Sequence, residues 1–204
     1  QGEEVDDWTE EEPGKILHEL RRGEMAACHE IPHIPYYGSI DSTPLFLVLL
    51  GEMLRWNGDL ALVQRLLPHA DRALQWIDRF GDVDGDGFVE YVRRSERGLA
   101  NQGWKDSGDG VCYPDGTLPE PPIALVEVQG YVYDAKNHMA EVFTALGDFE
   151  RAGQLRAEAA ALRQRINDAF WMEDRGYYAL ALDGQKRRLP TITSNPGHLL
   201  WSGV

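Results

Sequence analysis

At 204 residues, with 43% apolar and 26% charged residues, the chain has the composition of a folded globular protein and not of a disordered one. Its 20 basic and 34 acidic residues leave a formal charge of −14, which argues against nucleic acid or an anionic membrane as a partner and leaves neutral and cationic ligands open. Two cysteines, Cys28 and Cys112, are too few for a disulfide scaffold, and the longest apolar run, Leu45 to Leu50, is far short of the roughly 20 residues of a membrane span; with no basic-then-apolar leader, the expectation is a soluble, cytoplasmic protein.

Residues Gln1 to Glu12 are strongly acidic and read as a solvated arm or a loop edge, with an interaction tail as the alternative. Pro13-Gly14-Lys15 then opens a short helical pattern with Ile16, Leu17 and Leu20 on one side, closed by Arg21 and Arg22 ahead of Gly23. Residues 1–22 are therefore expected to form an acidic arm and a short helix, and 23–204 to belong to one helical domain. Pro32 and Pro35 enforce an extended loop between Cys28 and Gly38. Ser39 or Ser42 can cap the next helix, in which Pro44 suits the first turn, and Leu45 to Arg55 is apolar over most of its circumference, so this helix should be buried on several sides. Gly58-Asp59 closes it, and the run from Asp59 to Leu67 meets Pro68, which either kinks it or begins another helix with Ala70, Ala73, Leu74, Ile77 and Phe80 on its apolar face.

Beyond the Asp82 to Gly87 turn, Phe88 to Val92 suggests a short strand, and Arg93 to Pro122 a long loop rich in Gly, Pro, Asp and Ser. Loops of that length in compact domains are usually functional or disordered. Ile123 to Leu146 again reads as a largely apolar helix, closed by Gly147-Asp148, and Phe149 to Trp171 as its amphipathic partner. A buried helix followed by an exposed one thus occurs twice, with short connections. The expected fold is all-α: stacked antiparallel helix pairs around a common axis, an α/α toroid. A tetratricopeptide-like solenoid would repeat near 34 residues, whereas these pairs begin about eighty residues apart. The chain starts without methionine and stops directly after an apolar run, which suggests an internal piece of something longer.

The candidate site residues form separate groups along the chain. Asn101 to Asp109 places Trp104 beside Lys105, Asp106 and Asp109, and an aromatic face beside carboxylates suits sugar chemistry; Trp104 packing a loop and Asp106 closing a turn account for the same residues. Glu127 lies among Ile123, Leu125, Val126 and Val128, where a buried carboxylate needs a ligand, a cation or water. Tyr36, Tyr37 and Asp41 precede the first buried helix, where Asp41 either meets a ligand or caps. His198 precedes Leu199-Leu200-Trp201 and either points into a cavity or caps. Cys28, His29 and His33 lack a second pair at zinc-ligand spacing. Asp82, Asp84, Asp86 and Glu90 alternate around Gly85 and Gly87 as hard oxygen ligands for Ca²⁺ do, but position 12 of that loop is Arg93 and not the bidentate glutamate of an EF-hand; an Asx-rich turn is the alternative.

Five ordered motifs, Tyr36-Tyr37-Gly38-Ser39-Ile40-Asp41-Ser42-Thr43-Pro44-Leu45-Phe46, Asp84 to Tyr91, Asn101 to Ser107, Glu127-Val128-Gln129-Gly130-Tyr131 and Thr193 to Gly203, together resemble the amylo-α-1,6-glucosidase family of glycogen-debranching-type glucosidases. The resemblance covers nearly everything after about residue 23. It implies an (α/α)6, six-hairpin toroid, of which 23–204 would be an incomplete part, and inverting hydrolysis of α-linked glucose by an Asp general acid and a Glu general base. Carried over residue by residue, it makes Asp106 the acid, held protonated by desolvation and a nearby carboxylate. Trp104 and Lys105 would line the glucose subsite, Asp41 with Tyr36 and Tyr37 would contact sugar hydroxyls, Glu127 with Gln129 would complete the hydroxyl-binding wall, and Asn195 and His198 would join the same pocket. No cofactor is required, with Ca²⁺ on Asp82, Asp84, Asp86 and Glu90 the one metal suggested. The family's base lies near the last helices of its ring, so it is expected outside these residues.

The substrate is then an oligosaccharide or glucoside, with neither nucleic acid nor membrane as partner. Two other classes fit the same residues. One is a non-catalytic carbohydrate-binding helical module, and the other is a carbohydrate lyase or epimerase, since a fold does not fix its chemistry.

Overall fold

The computed structural model describes residues 1–204. In chain order it contains α1 (Glu24–Ala27), α2 (Ser42–Asn57), α3 (Leu60–Trp76) running into a π-helical turn (Ile77–Gly81), β1 (Ala124–Leu125), α4 (Val126–Ala145), α5 (Phe149–Phe170), β2 (Trp171–Met172), β3 (Tyr177–Tyr178), β4 (Ala181–Leu182), β5 (Arg188–Leu189) and α6 (Gly197–Ser202).

The two helix pairs arise from local signals that the chain repeats. Gly58 takes a left-handed conformation (φ +67°) and donates its N–H to the Leu54 carbonyl, ending α2, and the Asp59 carboxylate accepts the Leu62 N–H to start α3. Gly147 (φ +84°) and Asp148, which accepts the Arg151 N–H, do the same between α4 and α5. The helix α3 runs through Pro68, which cannot donate to the carbonyl four residues back. At the start of α2 the Ser39 hydroxyl accepts the Ser42 N–H at 3.2 Å.

The centre of the molecule is α4, which packs against α2, α5 and α6; 14 of its 20 residues are buried, so it has almost no solvent face. Leu47, Val48 and Leu50 of α2, Val132, Ala135, Met139, Val142 and Phe143 of α4, and Leu155, Leu162, Ile166 and Phe170 of α5 belong to one continuous core. Fully burying each large side chain stabilises by about 1.5–3 kcal/mol.

The all-α toroid expected from the sequence is not what the chain forms. It is mixed, about 44% helical with two small antiparallel sheets. In one sheet β1 pairs with β4 and β4 with β5, with Ala124 opposite Leu182; the other is the β2–β3 hairpin, with Trp171 opposite Tyr178. Two turns produce them. Gly176 (φ +57°) closes the first, and the Asp183 carboxylate closes the second by accepting the Gln185 and Arg187 N–H groups. The incomplete six-hairpin ring is corrected with it, because β1 enters the base of α4 and the hairpin after α5 takes the place of a third helix pair.

The short helix expected before Gly23 is also replaced. Residues 18–21 run antiparallel to 33–36: the Tyr36 carbonyl accepts the His18 and Glu19 N–H groups, the Glu19 carbonyl accepts the Tyr36 N–H, and the His33 carbonyl accepts the Arg21 N–H. So short an apolar stripe does not offset the cost of helix nucleation, and pairing satisfies the backbone instead. Nor are the first 12 residues a solvated arm. Gly2 exchanges backbone hydrogen bonds with Lys15 and Gly14, Trp76 Nε1 donates to Glu12 at 2.7 Å, and Glu10 is 1% exposed. The strand expected over 88–92 reduces to a single bridge between Tyr91 and Ile123, and 93–122 contains neither helix nor strand, as its composition suggests. No helix is long and apolar enough to cross a membrane.

Candidate functional site

Three chain segments converge on the first turn of α4. Glu127 is its second residue and is 1% exposed, because the short strand before it and the loop above it close off solvent. That loop, Asn101 to Asp109, passes so near that a Cβ on Gly103 would meet Leu125 Cδ1 at 2.4 Å, so a larger residue there would have to displace the Leu125 side chain. The Gln102 carbonyl accepts the Ile40 N–H at 2.8 Å, which anchors Asp41 beside the same loop. The third segment, 193–198, supplies Asn195, fully buried, whose Nδ2 donates to Glu127 Oε1 at 2.6 Å.

Lys105 completes this chain of contacts, donating to Asn195 Oδ1 at 2.7 Å and to Ser194 Oγ at 3.2 Å, with its ammonium 5.0 Å from the Trp104 ring centre. One turn further along α4, the Tyr131 hydroxyl lies 2.6 Å from His198 Nδ1. The His198 ring stands 5.5 Å from Trp104, and the Tyr131 ring 5.9 Å from Trp201. Tyr131, His198 and Trp201 border an open groove of about 540 Å³, lined also by Leu45, Ser194 and Gly197. Trp104 and Trp201 are 49% and 59% exposed, so two indole surfaces remain free for a ligand.

The electrostatics follow from this enclosure. Burial pushes the Glu127 carboxyl up to about 7, with the Asp41 carboxylate adding to the rise and Asn195 and Lys105 opposing it. Its second oxygen, Oε2, is buried without a hydrogen-bond partner. Asp41 is 8% exposed and accepts the Ser39 hydroxyl at 2.5 Å. Burial and the Lys105 charge hold His198 below its ordinary range, so it is neutral at pH 7. Burial, with Glu127 and Asp41 nearby, pushes the Tyr131 phenol up.

Of the residues singled out in the sequence, Asp41, Trp104, Lys105, Glu127, Asn195 and His198 come together here. Asp106 and Asp109 lie exposed on the loop beside them. Tyr36, Tyr37 and Gln129 are elsewhere in the scaffold. The Tyr36 hydroxyl accepts the Leu99 N–H, the Tyr37 N–H is held by the Thr9 carbonyl, and the Gln129 amide accepts the Val89 N–H and donates to the Val89 and Leu125 carbonyls. Tyr131 and Trp201 went unassigned in the sequence, although a helical period gives both away: Tyr131 is four residues after Glu127, and Trp201 three after His198. Asp82, Asp84, Asp86 and Glu90 do cluster, each with a ligand oxygen within 4.8 Å of the others. The donor set suits a hard cation, yet a cationic side chain of the protein, Lys186, already contacts three of the four.

No protein-family model matches the chain, and no curated protein matches it. The chemistry of the groove is therefore the ground for a functional reading.

Proposed function

We propose that the groove binds a sugar and that the chain is a glycoside hydrolase, or part of one, acting on α-linked glucose in an oligosaccharide or glucoside. The observation that carries this is the desolvated Glu127–Asp41 pair beside two half-exposed indoles. Sugar hydroxyls donate to buried carboxylates while sugar C–H faces stack on aromatic rings. Glu127 Oε2, buried and unpartnered, is an acceptor that a hydroxyl would satisfy, while Asn195, itself held by Lys105, donates to the other oxygen.

In this reading Asp106, on the loop that carries Trp104 and Lys105, gives its proton to the glycosidic oxygen as the C1–O bond breaks. Water adds to C1 from the opposite face and loses a proton to a base supplied from elsewhere, which inverts the anomeric centre. Asp41, Trp104, Lys105, Glu127, Asn195 and His198 hold the glucose ring. The two thiols, both unpaired, suit a cytoplasmic setting.

One observation favours a second reading. Asp106 is exposed, whereas a general acid works best when desolvation keeps it protonated; a sugar-binding module without turnover needs no such burial. The discriminating experiment follows glucose release from isomaltose, panose, trehalose and a limit dextrin, with sugar affinity measured in parallel, for the parent and Asp106→Asn. Release that falls at least 100-fold in the variant with affinity kept supports the hydrolase. Affinity without release supports the binding module, and absence of both removes the sugar-site reading.

A further inference from the structure

The acidic loop Asp82–Glu90 and the β4–β5 hairpin lie far apart in sequence, and one side chain joins them. Lys186 Nζ lies 2.7 Å from Asp84 Oδ2 and 2.7 Å from Asp86 Oδ2, and it donates to Glu90 Oε1. An ammonium has three hydrogens, and each meets a carboxylate oxygen. Lys186 reaches this position from a turn in which it adopts φ +60°, a conformation that non-glycine residues rarely take, so the hairpin presents it at a cost. Glu90 is 2% exposed, and its other oxygen, Oε2, is buried without a partner. Asp82 shapes the loop from the side, accepting the Gly85, Asp86 and Gly87 N–H groups at 2.8–3.1 Å.

We infer that Lys186 is the built-in cation of an oxygen-ligand site, filling the position that a hard divalent ion would otherwise take among Asp84, Asp86 and Glu90. Several carboxylates facing one point repel each other and require a positive charge. A tethered ammonium supplies it without dependence on ion concentration. The consequence is a latent metal site: the native protein ignores Ca²⁺, and removal of one amine creates Ca²⁺ affinity. The device also locks the loop to the hairpin. Because Val89 in the same loop is clasped by Gln129 of α4, it sets the base of the helix that carries Glu127.

The test compares the native chain with Lys186→Met, which keeps most of the aliphatic stem, after dialysis against chelator. Calorimetric titration with CaCl2 is expected to give no saturable heat for the native protein. For the variant it should give one site, with affinity at least tenfold tighter. The melting temperature of the variant should fall by several degrees in chelator and recover in millimolar Ca²⁺, while that of the native protein stays unchanged. Equal Ca²⁺ binding by both proteins would overturn the inference, and so would a variant that melts like the native chain in chelator. A readout on the native protein alone covers a variant that fails to fold. Mass spectrometry after amine acetylation should show Lys186 protected to the same degree with and without Ca²⁺, and exposure of Lys186 by Ca²⁺ would mean that the ion displaces it.

Discussion

Replacing Glu127 with glutamine should make the protein more stable at alkaline pH while weakening the site. In the unfolded chain this carboxyl titrates near 4.5, and in the folded protein near 7. Below pH 4.5 both states are protonated and the native state is not penalised. As pH rises through 7 the folded protein must hold a desolvated charge, and stability present at low pH is lost. Moving a carboxyl from 4.5 to about 7 corresponds to about 3 kcal/mol. Glutamine keeps the oxygen that accepts from Asn195 but puts an amide nitrogen where Oε2 has no partner, which returns about 1 kcal/mol. The net gain of about 2 kcal/mol raises Tm at pH 8 by roughly 4–8 °C for a domain of this size. Glu90 is also carried to about 7, by its own burial, so the quantity to measure is the Tm difference between Glu127→Gln and the parent, followed by calorimetry from pH 4.5 to 8. A difference that opens with pH, accompanied by loss of sugar affinity, is the expected result. A difference that stays flat across this range, or a variant less stable than the parent at pH 8, would refute the assignment of a strained buried carboxylate.

Two further perturbations probe the packing between α2 and α4. His138 of α4 reaches Glu52 of α2 at 2.8 Å and Asp134 of its own helix at 3.0 Å; burial opposes its charge, but these hydrogen bonds carry it up to about 9. Its stabilisation is complete below the unfolded value near 6.5 and is lost as pH rises through 9, so His138→Gln should cost about 2 kcal/mol at pH 6 and much less at pH 10, read from denaturant melts at both pH values. Gly51 gives way to the same imidazole, and a Cβ there would meet His138 Cβ and Cδ2 at 2.5 Å. Gly51→Ala should therefore lose about 1–3 kcal/mol by overpacking, despite alanine's better helix propensity, and a rise in Tm would show that the helices shift apart freely.

How much the sequence reveals depends on how far the partners of each residue lie along the chain. The paired Gly58-Asp59 and Gly147-Asp148 connectors act within four residues, and they can be read directly. Glu127 stands out because its own neighbours are apolar, and burial with an unpartnered oxygen is what that pattern implies. Glu10 offers no such signal. It sits in an acidic run, and its burial comes from the Arg94 and Ser95 N–H groups and the Gln102 amide, more than eighty residues away. The strands β2 to β5 are two residues long, shorter than any alternation can report. The all-α expectation failed there, since the helical periods it rested on end at Phe170. Lys186 is equally silent, being one lysine in a polar turn until the hairpin folds over the acidic loop.

Glu10 also changes how the chain should be handled at the bench. An acidic, low-complexity start is commonly trimmed to improve crystals or expression. Here its carboxylate receives two backbone N–H groups and the Gln102 side chain, and Gln102 in turn holds Ile40 beside Asp41. Residues 1–12 thus brace the site from behind: cutting them away removes no ligand contact, yet it takes from the loop bearing Trp104 and Lys105 the buried carboxylate to which Gln102 donates.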